Sequence, residues 1–196
     1  MKHLLFSLAC VIALLACNKQ EGGGTSAAGT TPAPASSQEP VKDTGKDNSA
    51  DVKAAIEHGL ALAKAGDKTK VAGWCKDLVL PNHESWFKRV FGDDLGKKVA
   101  ADYAASSKDF DDDLSKALDD ANKGGAIDVR IVRVFDPNDG AATALQKAAL
   151  EAMKKRGPLY TAKFCQPGKT DSSLSLWSFV VADGKTYLLG KMKAVK

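Results

Sequence analysis

Thiols, imidazoles and clustered carboxylates are the side chains of this sequence with the means to do chemistry. The thiols are Cys10, Cys17, Cys75 and Cys165, and beyond the first few residues the imidazoles are His58 and His83. A metal centre needs ligands that converge. No His-x-x-x-His, Cys-x-x-Cys or EF-hand spacing occurs, so neither a metal nor another cofactor is expected. Gly-x-Ser-x-Gly and phosphate-cradling glycine loops are also missing, and the glycine run at 22–24 lies in a Ser/Thr/Pro-rich stretch. His58 falls off the apolar face of its helix and reads as a solvated histidine. His83 reads as part of a helix start. Asp109, Asp111, Asp112 and Asp113 surround Phe110 and have the charge to hold Ca²⁺ or a basic partner. Their spacing reads first as a solvated helix face with Phe110 turned inward. Lys154-Lys155-Arg156 stands where a last helical turn would place it against the macrodipole, with a binding patch as the alternative.

Cys17 stands in the most informative setting. Met1-Lys2-His3 is a short basic start, and Leu4–Ala16 is an apolar run of 13 residues interrupted only by Ser7. That is too short for a spanning helix, which needs roughly 20 residues. A basic start before a short apolar run is the pattern of a secretory signal peptide. The run closes Leu14-Leu15-Ala16-Cys17, and here the sequence resembles the lipobox of bacterial lipoproteins. The resemblance implies cleavage before Cys17, a diacylglyceryl thioether on its sulfur and acylation of the freed amine. Several acyl chains on one residue anchor stably where one would not. A secreted soluble protein cut nearby is the alternative, and Cys10 lies too early in the run to be the site. The expected address is the bacterial cell envelope. Asn18 is not the Asp that favours inner-membrane retention in enteric lipoproteins, which favours the outer membrane facing the periplasm.

In that oxidising compartment Cys75 and Cys165 form an even pair. A disulfide between them would close a loop of about 90 residues, worth roughly 4–5 kcal/mol in the chain-entropy picture. Two separate buried thiols are the equal alternative, because spacing alone does not supply the Cα separation.

The whole chain has 196 residues, 44% hydrophobic and 27% charged, with a net charge of +4. This is globular composition without the basic excess or motif of a nucleic-acid binder. Three segments follow: a signal peptide at 1–16, the lipidated Cys and a Gly/Ser/Pro/Ala tether at 17–50, and one domain at 51–196. Between 18 and 50 Val41 is the only aliphatic residue larger than Ala, too little apolar surface to offset chain entropy.

The elements that must position any site are legible from period. Val52, Ile56, Gly59 and Leu60 recur at helical spacing up to Gly66. Val71–Leu80 is a further short helix closed by Pro81, and Asn82 is placed to cap a helix carrying Trp86, Phe87, Val90 and Phe91. Leu95 to Leu118 marks a long amphipathic helix, bent around Ser106-Ser107 and ending at Gly124-Gly125. Ile127, Val129 and Ile131 alternate with Asp128 and Arg130 as a strand with one wet face. An Ala-rich helix with Leu145, Ala149 and Met153 on one side runs to Gly157-Pro158. Strands at 159–166, 174–182 and 185–195 follow, with Asp183-Gly184 as a tight hairpin. The expected class is α+β: N-terminal helices on one face of a four-stranded, mainly antiparallel curved sheet, with one helix inserted after the first strand.

That element order, with its final hairpin Phe179–Gly190, resembles the ketosteroid isomerase-like (nuclear-transport-factor-like) cone fold. The resemblance implies helices lying across a sheet, able to enclose a pocket, and no family catalytic motif matches. Trp86, on a covering helix, and Trp177, on the sheet, are the expected contacts for an apolar ligand, although most aromatics should simply fill the core. The expected function is a membrane-anchored envelope lipoprotein with a non-catalytic binding or interaction domain. Its partners would be the membrane through Cys17 and an apolar small molecule or an envelope protein. A pocket enzyme of isomerase or dehydratase type is the runner-up, needing an ionisable residue among the aromatics, and a purely structural envelope component is a third reading.

Overall fold

Helix α1 (Ser49–Lys64) buries Val52, Ile56, Gly59 and Leu60, one stripe at three- and four-residue spacing. The computed structural model describes residues 45–196. The expected signal peptide, Cys17 and nearly all of the tether lie outside the described residues. Ahead of Asp51, Asn48 donates its backbone N–H to the Tyr160 hydroxyl at 3.1 Å.

Gly66 at φ 73° ends α1, and Asp67 caps α2 (Lys68–Asp77) by accepting from the Lys70 N–H. A Cβ at Gly59 would stand 2.5 Å from the Trp74 ring, so the missing side chain is what lets α2 lay its indole on α1. The indole N–H donates to the Ala55 carbonyl at 2.9 Å. Asn82 occupies the first position before α3 (His83–Phe91), but at φ 49° its side chain makes no capping bond. The expected cap is therefore a left-handed turn residue instead. Gly92 at φ 85° separates α3 from α4 (Asp93–Ser106). Gly96 then brings the two helices together, its Cα facing the Lys88 backbone, where a Cβ would lie 2.5 Å from the Lys88 Cα. A 3₁₀ turn at Ser107–Asp109 breaks the expected long helix into α4 and α5 (Phe110–Lys123).

Four strands, β1 (Asp128–Val134), β2 (Leu159–Cys165), β3 (Ser172–Ala182) and β4 (Lys185–Leu188), form one sheet in the order β1-β2-β3-β4. All three pairings are antiparallel, so the molecule is α+β. Helix α6 (Ala144–Ala152) lies between β1 and β2. Asp183 at φ 50° and Gly184 at φ 73° make the hairpin between β3 and β4, the two positive φ values that a two-residue turn of matching twist requires. A bulge at Ser178, φ 64°, shifts the β2–β3 register between Tyr160/Phe179 and Thr161/Trp177.

The expected wet-face alternation in β1 is only partly kept. Ile127 precedes the strand and is 45% exposed, while Val129 and Val134 are the buried positions. The expected last strand is also too long. Pairing stops at Leu188, and the chain turns at Gly190 and Met192 into a 3₁₀ turn at Lys193–Val195. Beside β4, the segment leaving α2 adds a parallel bridge, Val79 to Leu188, which covers the sheet's edge.

Strand β2 is buried at six of its seven positions, as a central strand covered on both sides must be. Tyr160 and Thr161 are successive and point to opposite faces. Tyr160 meets the start of α1, while Thr161 accepts at 2.9 Å from Gln146 Nε2 of α6. Gln146 also completes a capping box with Thr143. One hydrophobic core joins the helices to the sheet.

Candidate functional site

An aromatic chain runs through the helical half. Phe87 lies 6.1 Å from Phe91 and 5.3 Å from Tyr103, and Tyr103 lies 5.8 Å from Phe110, centroid to centroid. The half-buried His83 ring stands 5.2 Å from Tyr103. The Tyr103 hydroxyl accepts the Leu80 N–H at 2.7 Å, and burial pushes the phenol up to about 12. This tyrosine ties the end of the α2–α3 connection to α4.

Cys75 on α2 and Cys165 at the end of β2 are both buried free thiols. The Cys75 sulfur approaches the Asp111 carbonyl at 4.0 Å, and the Cys165 sulfur approaches the Thr170 carbonyl at 3.8 Å. Burial first, and then the Asp111 charge, push the Cys75 thiol up to about 11. A thiol held protonated is a poor nucleophile and a poor metal ligand.

Trp86 and Trp177 are both half-buried and line different clefts. Trp177 borders one of about 420 Å³ at the α4–α5 break, together with Asp102, Asp109 and Asp113. The Lys191 ammonium stands 6.0 Å over its ring. Asp109 and Asp113 are exposed there, and the half-buried Asp102 accepts from the Ala194 N–H at 3.4 Å. Trp86 borders a cleft of about 260 Å³ shared by α3, the end of α6 and the sheet. No single ligand held in one cleft spans both tryptophans, because the core fills the space between helices and sheet.

Asp111, Asp112 and Asp113 sit in the first turn of α5, where they complement the helix N-terminus, with Phe110 buried between the exposed Asp109 and the half-buried Asp111. Among the described residues no group of three or more His, Cys, Asp or Glu side chains is placed to hold a metal ion. His58 is exposed. Helix α6 ends at Ala152, so Lys154-Lys155-Arg156 is not its last turn as expected. Instead the N–H groups of Lys154 and Lys155 both donate to the Val90 carbonyl, and Arg156 Nε donates to the Leu150 carbonyl at 3.1 Å. Arg156 alone does the expected capping, reaching back from beyond the helix.

Sequence reasoning passed over Trp74, Gln146 and the Tyr160 hydroxyl. Each acts through a partner far along the chain or on another element, and periodicity carries no such signal. Comparison with models of known protein families, with curated proteins and with solved structures gives no match.

Proposed function

We propose that this is a lipid-anchored envelope lipoprotein whose domain works by binding and not by catalysis. The observation that carries the reading is how the structure uses its perturbed ionisable groups. Catalysis needs a perturbed acid, base or nucleophile facing a substrate. Here Tyr103 and Cys75, whose values burial moves furthest, turn into the core toward the Leu80 N–H and the Asp111 carbonyl. The Trp86 cleft is instead lined mainly by apolar side chains with Lys46 and Lys155 exposed beside them, and the Trp177 cleft mixes Phe110, Leu114 and Leu176 with Asp102, Asp109, Asp113 and Lys191. The anchor rests on the lipobox residues Leu14-Leu15-Ala16-Cys17 and the apolar run before them. Among the described residues no helix is long and apolar enough to cross a membrane. The outer membrane, facing the periplasm, is the proposed location. Detergent phase partition of the full chain tests this. The wild type should enter the detergent phase and Cys17→Ser should move to the aqueous phase or stay unprocessed. Equal partition of the two, with both cut at the same point, would overturn the anchor.

A further inference from the structure

We propose that the Trp86 cleft is a binding site for a single-chain anionic amphiphile of the fatty-acid class. The floor is apolar: Val90 and Met153 are buried, and Pro158 and Val181 complete it beside the half-buried Trp86. Among the described residues the charged ones at the rim are Lys46 and Lys155, both exposed, and no carboxylate lines the cleft. Among the described residues neither ammonium group has an ion-pair partner. The nearest carboxylate along the chain, Asp47, accepts from the Ser49 N–H and hydroxyl and lies 4.0 Å from Arg133. A greasy floor under two cations is complementary to a hydrocarbon chain with an anionic head, and repels one with a cationic head. At about 260 Å³ the space falls just below the roughly 300–1,000 Å³ of drug-sized pockets, which suits one chain segment and not a two-chain lipid. Gly45, Lys46 and Asn48 form one wall, so the cleft lies where the chain bearing Cys17 joins the domain. That last argument rests on the proposed anchor, which would bring the domain to a surface rich in such molecules.

The test uses the full chain carrying Cys17→Ser, so that no acyl chain of its own competes. A doxyl-labelled stearic acid, titrated below its micellar concentration, should quench tryptophan fluorescence saturably. The methyl ester of the same probe should bind more weakly by up to about fivefold, as expected for losing one exposed ion pair. Lys155→Glu, an exposed change away from the core, should weaken the acid by more than that. Trp86→Phe should abolish the saturable quenching, while Trp177→Phe should keep it. Absence of saturable quenching, equal binding of acid and ester, or quenching lost with Trp177 instead of Trp86 would each overturn the proposal. The state of Cys17 in the wild type is read separately by its mass, so failure of the anchor and failure of the cleft are distinct results.

Discussion

Tyr103 and Cys75 set the chemistry of the interior at the level of single residues. Both folded-state values are raised, to about 12 from 10.0 for Tyr103 and to about 11 from 9.0 for Cys75. A raised value means the neutral form is favoured on folding. The contribution is full below the unfolded value and lost as pH climbs to the folded one. Thermal stability should therefore hold up to about pH 9 and decline between 9 and 12, and Cys75→Ala should flatten the lower part of that decline. A melting temperature unchanged across this range would contradict the assignment. Tyr103→Phe leaves the buried Leu80 N–H without its acceptor and should cost about 1–3 kcal/mol in chemical denaturation. With both thiols buried and free, thiol titration of the region 45–196 should find two groups when denatured and unreduced, and very slow reaction when native at neutral pH. No titratable thiols after denaturation would show a Cys75–Cys165 bond instead. The sequence made these two cysteines visible as a pair but left their pairing open, because pairing depends on Cα separation and not on spacing.

At the level of elements, local signals were read well and long-range ones poorly. The stripe of α1 and the Asp183-Gly184 hairpin are encoded within a few residues and both are present, while Ser106-Ser107 was legible only as a bend in one long helix that in fact divides there. The Ser178 bulge, the early end of β4 and the burial of Gln146 depend on partners elsewhere in the chain. Gln146 is a residue type that normally sits in water, and only Thr143 and Thr161 explain its position. Gly59 shows how packing overrides propensity. In an exposed helix Gly→Ala gains up to about 1 kcal/mol. Here the new Cβ would meet the Trp74 ring at 2.5 Å, and overpacking costs about 1–3 kcal/mol. Gly59→Ala should therefore lower stability, and Gly59→Ala combined with Trp74→Leu should lose less than the two single changes added together. A stabilised Gly59→Ala protein would mean that Trp74 shifts freely.

At the level of the whole molecule, the shared core of helices and sheet predicts one cooperative unfolding transition for the region 45–196, with fluorescence and circular dichroism coinciding. Two separated transitions would mean that the helical half folds independently. The α+β class was legible because period changes from helical to alternating along the chain. The clefts were not, because they form where α3, the end of α6 and the sheet meet. Trp86 and Trp177 could be nominated as contacts for an apolar ligand between helices and sheet, but not assigned to different sites. What joins these levels is the proposed anchor, which would make this domain part of an envelope protein. The most direct measurement is the intact mass of the N-terminal peptide of the protein recovered from bacterial membranes. The account predicts a chain beginning at Cys17, heavier than its sequence by a diacylglyceryl group and an amide-linked acyl chain. An N-terminus downstream of Cys17, or an unmodified Cys17, would contradict it.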